Sequence, residues 1–221
     1  DFDYTAPLRP DALRCLQVPE QVLRMTPSTR KIRLILDLRR RGITNTDLLS
    51  AFERVPREDF VPDAFLDQCY EDIALPIGYG QTVSQPSVVA TMLQALEIES
   101  GHKVLEIGMG SGYQTALLTY LCRRVYAMDL HKELQREAEK RLYALNRNNF
   151  TSMAGDGSLG WPQQAPFARI ISAAAADDVP RKLAEQLDDG GILILPIGGE
   201  KEIQKIVKVV RVGDEFEIED L

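Results

Sequence analysis

Residues 104–113, Val-Leu-Glu-Ile-Gly-Met-Gly-Ser-Gly-Tyr, constrain the fold more than any other segment of the chain. A short apolar run carries one acidic residue, Glu106, and three glycines follow at alternate positions, Gly108, Gly110 and Gly112. An amphipathic stretch from Gln114 to Leu121 comes next. The pattern is that of a strand, a tight loop and a helix. Glycines let such a loop take φ > 0 and let a ligand lie against bare backbone. The helix start offers unpaired N–H groups.

The spacing narrows the choice of ligand. A dinucleotide site prefers G-x-G-x-x-G, with pyrophosphate over the helix start. Here the spacing is G-x-G-x-G, and no Lys-Ser/Thr pair follows as a phosphate loop requires. After a second strand, Arg124 to Met128, stands Asp129. A carboxylate there can accept both hydroxyls of a ribose. Together these features suit a nucleoside with an amino-acid tail, such as S-adenosylmethionine. The plain alternative is an ordinary glycine turn, which Glu106 and Asp129 in register make the weaker reading.

The chain has 221 residues, enough for one domain with additions and a real core. Its net charge is −7. The first 50 residues hold 9 Lys/Arg against 6 Asp/Glu and the remainder 17 against 27, so no basic face exists to track phosphates and no nucleic-acid partner is expected. The run Arg39-Arg40-Arg41 reads as a helix C-terminus, with Gly42 just beyond. Cys15, Cys69 and Cys122 are widely spaced and odd in number, which argues for a reducing compartment and no disulfide framework. With only His102 and His131, a histidine-based metal site is not expected. No apolar run is long enough to span a membrane. The acidic start, Asp-Phe-Asp-Tyr, is unlike a signal peptide and lacks an initiator Met, as a trimmed or partial chain would.

Residues 1–27 read as a proline-containing arm, with a short helix near Asp11–Leu16. Ser28 is placed to cap a helix through Arg41, and a second helix runs from Asn45 to Arg54. Prolines 56, 62, 76 and 86 punctuate a loop-rich connection, and Gln85–Leu96 is helical. From Lys103 onward strands and helices alternate: Val104–Ile107, Gln114–Leu121, Val125–Met128, Lys132–Leu145, Thr151–Ala154, Arg169–Ser172, Pro180–Leu187 and Ile192–Ile197. Such alternation predicts parallel strands joined by crossover helices. Ligands of such sheets sit at the carboxyl ends of the strands, where Glu106, Asp129, Asp156 and the Ser172–Asp177 segment fall. Ile203–Val212 and Glu215–Glu219 read as a hairpin around Gly213-Asp214. The expected fold is α/β: a Rossmann-like, doubly wound, mostly parallel sheet, with C-terminal antiparallel strands and an N-terminal helical extension. Residues 28–221 form the domain, with 28–100 the helical and substrate-loop part and 101–221 the cofactor-binding sheet.

Two further segments stand out. Tyr70 to Pro86 (YEDIALPIGYGQTVSQP) is rich in Gly, Pro and hydroxyls and leads into a helix. Its plain reading is a loop with Ser84 or Gln85 as N-cap and Pro86 in the first turn. Gly155-Asp156-Gly157 is either a tight turn or a carboxylate and backbone N–H facing an adenine edge.

Taken with Glu53–Pro62 (ERVPREDFVP), Val104–Tyr113 and Gly155–Gly157 through Gly160-Trp161-Pro162, these segments resemble protein-L-isoaspartate O-methyltransferases over roughly residues 28–220. The resemblance implies a sheet of the S-adenosylmethionine-dependent methyltransferase type, methyl transfer from S-adenosylmethionine to the α-carboxyl of isoaspartyl residues, collapse of the ester to a succinimide, and repair of aged proteins in the cytoplasm. It implies partners that are isoaspartyl-containing proteins or peptides, with no nucleic acid, membrane or metal. By position, Glu106, Gly108, Gly110 and Gly112 would line the methionine and ribose end of the cofactor. Asp129 would hold the ribose hydroxyls, and Asp156 and Gly157 would flank the adenine. The wall from Ile77 to Ser84, including Gly80, Thr82 and Val83, would face the substrate with Ala174. Ser84, the expected catalytic residue, would hydrogen-bond the isoaspartyl carboxylate. The chain departs from the family at residues 168–177 (ARIISAAAAD), where Ala173 lacks the usual hydroxyl and Asp177 replaces a proline. Asp177 is expected to be an outward, solvated loop residue.

A carboxylate is already ionised at neutral pH, with a pKa near 4, and needs no general base. Catalysis is then alignment of oxygen, methyl carbon and sulfur with water excluded. That accounts for a chain without a His-Asp pair, a metal cluster or a Gly-x-Ser-x-Gly elbow. Two alternatives stay open: a methyltransferase dedicated to an aspartyl residue of one partner peptide, and a cofactor-binding protein without turnover.

Overall fold

The glycine loop sits at the middle of a seven-stranded sheet, in the computed structural model that describes residues 26–199 and 204–221. The short helix expected near Asp11–Leu16, most of the expected arm and Ile203 lie outside the described residues. Five strands are parallel: β3 (Lys103–Ile107), β4 (Arg124–Asp129), β5 (Phe150–Ala154), β6 (Phe167–Ser172) and β7 (Leu187–Ile197). Two more, β8 (Lys205–Val212) and β9 (Glu215–Asp220), add antiparallel at the far edge. The order is β5-β4-β3-β6-β7-β8-β9, so the winding direction reverses between β3 and β6. The carboxyl ends at such a reversal diverge and leave a crevice. Among the described residues no helix is long and apolar enough to cross a membrane.

Alternating residues of the strands feed two clusters, as pleating requires. Val104, Val125, Ile171, Ile192 and Ile194 join a large cluster with α1 (Pro27–Arg40), α2 (Thr46–Arg54), α3 (Pro86–Ala95), α4 (Tyr113–Leu121) and α5 (Lys132–Ala144). Leu105, Ile107, Ile170, Leu193 and Leu195 join a smaller one covered by the four-residue α6 (Arg181–Ala184) and neighbouring turns. The sheet is therefore doubly wound but unevenly clad.

Several local expectations are corrected. The cap of α1 is Thr26, whose side chain accepts from Thr29 N, and Ser28 lies inside the first turn. Asn45 caps α2 through a bond from Leu48 N. The expected loop before α3 contains a small hairpin, β1 (Leu75–Gly78) and β2 (Gln81–Val83). Its two turn residues, Tyr79 and Gly80, take φ of 54° and 69°, the conformation that matches strand twist in a two-residue turn. Helix α6 stops far short of Leu187, because Gln186 O already accepts from Phe167 N and Leu187 pairs with Phe167. The exposed residues Asp188–Gly190 then bulge before the strand resumes at Ile192. Asp189 Oδ1 accepts from Gly213 N at 2.8 Å and ties this bulge to the β8–β9 turn.

Two buried features of β3 and its loop carry measurable consequences. Gly112 has φ of +89°, and a Cβ there would lie 2.9 Å from Cβ of Ala138 on α5. The glycine lets α4 start close against α5. Gly112→Ala is expected to cost about 1–3 kcal/mol of stability from backbone strain and the clash together. Urea denaturation measures it, and a variant as stable as the parent would contradict the packing.

Glu106 is fully buried; Thr115 Oγ1 donates to its Oε2 at 2.6 Å and Gln114 Nε2 to its Oε1 at 3.1 Å. Burial pushes its carboxyl from an ordinary 4.5 up to about 8, against the pull of those two donors. The folded state thus holds this proton more tightly than the unfolded chain. Between those two values the folded state binds more protons, so stability falls as pH rises from about 4.5 to about 8 and levels off above. Glu106→Gln is expected to flatten that slope. Denaturation midpoints at pH 5, 6.5 and 8 that decline equally in both proteins would refute the assignment.

Candidate active site

Two spaces that share Gly108 in their linings lie at the carboxyl edge where the winding reverses. The larger, about 370 Å³, is lined on one side by Gly108, Asp129, Leu130 and His131 and on the other by Asp156, Gly157, Ser172 and Ala174, with Gln81 of the hairpin above. That volume lies within the range of small-molecule sites. The smaller, about 40 Å³, is a narrow gap between Thr82, Val83 and Ser84 on one wall and Gly108, Gly110, Ser111 and Tyr113 on the other, with Ala173 beside it.

The glycine loop is pinned from both neighbouring strands. Gly108 N and Met109 N donate to Met128 O at 2.8 and 3.0 Å, and Ala173 N donates to Ile107 O at 2.8 Å. Asp129, at the end of β4, is almost wholly buried. Its Oδ2 accepts from Gly110 N at 2.6 Å and its Oδ1 from His131 N at 2.8 Å. A carboxylate offers about four acceptor positions, so one remains on each oxygen. Two free acceptors on adjacent oxygens beside the larger space fit a vicinal diol.

Across that space the Asp156 carboxylate is exposed, accepts from Ser158 N at 2.9 Å, and is held below the ordinary carboxylate range by that bond. It opens a turn through Gly157–Leu159. Gly157 can bear no side chain, since a Cβ would lie 2.5 Å from Ile107 Cγ2. Ser172 Oγ donates to Ala174 O at 2.7 Å and fixes the start of the alanine segment.

The hairpin closes the top. A Cβ on Gly110 would lie 3.3 Å from Ile77 Cδ1, so β1 rests on the glycine loop. At the hairpin tip the Tyr79 ring stacks on His131, with centroids 5.2 Å apart and planes at 29°. Ser84 follows β2 on the wall of the narrow gap. It does not cap α3: the N-cap is Gln85, without a side-chain bond, and Asp72 Oδ1 accepts from Ser87 N at 2.8 Å instead.

The structure therefore brings together Gly108, Asp129, Asp156, Gly157 and Ala174 around one space, and Thr82, Val83, Ser84, Gly108 and Gly110 around the other. Ile77 reaches the same place through Gly110. Glu106, Gly112 and Gly80 line neither space. Glu106 lies beneath the loop, bonded to α4, and Gly112 abuts α5. Asp177 is exposed and outside both spaces. Sequence reasoning passed over His131, Asp72 and Arg57. His131 had a signal, standing two residues beyond Asp129; Asp72 and Arg57 lie inside quoted motifs, but nothing in their spacing discloses their partners.

Comparison with known proteins agrees with this geometry. The family model described as "Protein-L-isoaspartate(D-aspartate) O-methyltransferase (PCMT)" matches residues 29–221. A protein-L-isoaspartate O-methyltransferase of Rhodospirillum rubrum is 54% identical over 192 residues, covering 86% of this chain and 88% of that protein. One from Parvibaculum lavamentivorans is 51% identical over 193 residues, covering 86% and 87%. A solved protein-L-isoaspartate O-methyltransferase superposes with a TM-score of 0.78 at 26% identity, covering 86% of this chain and 63% of that chain. The fold is shared with a putative protein-L-isoaspartate O-methyltransferase from Plasmodium falciparum in complex with S-adenosyl-L-homocysteine, at a TM-score of 0.72 and 21% identity, covering 86% and 93%. The chain belongs to the protein-L-isoaspartate(D-aspartate) O-methyltransferase family.

Proposed function

We propose that this chain transfers a methyl group from S-adenosylmethionine to the α-carboxyl of L-isoaspartyl residues in damaged proteins and peptides, initiating their repair through a succinimide. The observation that supports it best is that Ser84 and the glycine loop line one narrow gap, while Gly108 of the same loop lines the larger space with the Asp129 carboxylate. When bound, the cofactor supplies a methyl group on a positively charged sulfur. Asp129 is the residue for the ribose hydroxyls, and Asp156 with Gly157 borders the base. Gly108 and Gly110 leave room for the amino-acid tail. Ser84 donates to the substrate carboxylate, and Ile77, Gly80, Thr82, Val83 and Ala174 shape the wall against which the peptide lies. Glu106 and Gly112 serve the same site from behind, by fixing the loop and α4. The substrate oxygen is an ionised carboxylate, so the site has no need of a base and works by orientation. We place the activity in the cytoplasm, on protein substrates and without nucleic acid, membrane or metal.

An isoaspartyl residue carries its free carboxylate on the α-carbon, one methylene closer to the backbone than a normal Asp side chain. A wall that fixes the peptide backbone aligns only one of these carboxylates, and a displacement of about 1 Å costs on the order of a hundredfold in rate. Labelled cofactor offered with an isoaspartyl peptide and its aspartyl twin is expected to label the first alone. Equal labelling, or labelling only of an aspartyl partner peptide, would favour the dedicated methyltransferase. Cofactor binding without transfer would favour the protein without turnover. The exposed position of Asp177, away from both spaces, removes one reason for the dedicated reading.

Ser84→Ala is expected to raise KM for the isoaspartyl peptide or lower kcat while leaving cofactor affinity unchanged. Because Ser84 caps nothing, stability should stay within about 0.5 kcal/mol of the parent, where loss of a true cap costs 0.5–2 kcal/mol. Normal kinetics in the variant would remove Ser84 from the site.

A further inference from the structure

Arg57 is fully buried, at the start of the short 3₁₀ turn Arg57–Phe60 that follows Pro56. Burial lowers its pKa, because a guanidinium loses hydration there. An arginine in such a place usually faces a carboxylate, and breaking that pairing is costly. Here its Nη2 donates to the backbone carbonyl of Ser84 at 2.8 Å. Its guanidinium carbon lies 4.6 Å from the centroid of the Tyr113 ring. Nε and Nη1 find no acceptor among the described residues. Tyr113 is no counter-ion, since burial pushes its phenol up to about 12 and keeps it neutral.

The two partners of Arg57 belong to opposite walls. Ser84 stands on the hairpin side of the narrow gap, and Tyr113 is the first residue of α4, directly after Gly112. Tyr113 is itself fixed edge-on by Phe52 and Phe60, at centroid distances of 6.2 and 5.6 Å. Arg57 therefore joins an immobile aromatic anchor on the cofactor side to the backbone of the substrate-side serine. A planar, charged donor holds a carbonyl in direction as well as distance. We propose that Arg57 is a positioning residue for methyl transfer: it sets where the Ser84 hydroxyl stands relative to the glycine loop, without itself touching substrate or cofactor. The cost of burying this cation is eased by the Tyr113 phenol and by the field of Asp72. This inference rests on the proposed function of the site.

The test uses the full chain carrying Arg57→Met and Arg57→Lys. Arg57→Met keeps length and apolar contact but has no donor; lysine keeps the charge and one donor to Ser84 O. Arg57→Met is expected to lower kcat/KM for the isoaspartyl peptide by about tenfold to a hundredfold, with cofactor affinity by calorimetry within about twofold of the parent, as no Arg57 contact reaches the larger space. Lysine should recover part of the loss. Amide hydrogen exchange of residues 79–86, measured without cofactor, should quicken in Arg57→Met and return toward the parent in Arg57→Lys. Unchanged kcat/KM and exchange in Arg57→Met would overturn the proposal. So would a loss shared equally by cofactor affinity, or lysine no better than methionine. If Arg57→Met does not fold, Arg57→Lys alone decides: the proposal stands if its exchange at 79–86 exceeds the parent's with unchanged cofactor affinity, and falls otherwise. A parent that methylates no isoaspartyl peptide would refute the proposed substrate, while the exchange data would still decide the role of Arg57.

Discussion

The Asp129 carboxylate is the point on which the site depends. Each of its oxygens accepts a backbone N–H, one from Gly110 in the loop after β3 and one from His131 in the turn after β4. Charge-assisted bonds of this kind are roughly twice as strong as neutral ones. They hold two loops from adjacent strands at a fixed separation, and the separation is the entrance to the larger space. A glycine loop would otherwise be the least ordered part of the sheet, since glycine loses the most conformational freedom on folding. The same carboxylate that orders the loop keeps two acceptor positions over. Loop order and two spare acceptor positions are thus built into one group.

Beneath the loop, Glu106 has a different task. Its two donors both come from α4, so the strand and the helix on either side of the glycines are tied by side chains as well as by the chain. The group is costly to ionise where it is, and its proton is retained to well above the usual carboxylate range. Above the loop, Ile77 closes over Gly110 and Tyr79 stacks on His131. The hairpin therefore touches both loops that Asp129 joins. The loop is thus held from below by β3 and α4, from the side by Asp129 and from above by the hairpin.

The alternation of elements after Lys103 was legible because short apolar stretches such as Val104–Ile107 and Ile192–Leu195 end at turns, and α5 carries an apolar stripe of Leu134, Ala138 and Leu142. That a ligand would sit at the carboxyl ends of the strands followed from that alternation; the strand order and its reversal between β3 and β6 did not. What lay hidden depends on distant partners. The β1–β2 hairpin was missed because Leu75–Val83 is too short and too rich in Gly and Pro to show a period of two. The α6 region misled because Leu183 and Leu187 are four apart, a helical spacing, although Leu187 is the first residue of a strand. Among the expected site residues, Asp129, Asp156 and the first two glycines, which strand ends and spacing pointed to, line the two spaces, as does Ser84, whose role only the resemblance supplied. Glu106 and Gly112 share the motif but face inward, because a motif marks a backbone path and does not say which of its side chains turn to the ligand. That Asp72 caps α3 could not be read locally, since its partner Ser87 is 15 residues away.

The arrangement explains why a chain with so few reactive groups can still be an enzyme. Among the residues that line the narrow gap there is no histidine, carboxylate or lysine; its walls bear hydroxyls, an amide, backbone and apolar side chains. What such a gap can supply is distance and direction. Each wall is accordingly tied to something stiff: the glycine loop to Asp129, α4 behind it to Glu106, and the Ser84 carbonyl to Arg57. Groups placed within a few tenths of an ångström by buried, charged or aromatic supports convert an encounter into a directed attack, a conversion worth several orders of magnitude in rate. The uncommon groups of this chain, a buried glutamic acid and a buried arginine, both stand behind the two spaces: Glu106 binds strand to helix, and Arg57 binds the Ser84 carbonyl beside the Tyr113 ring.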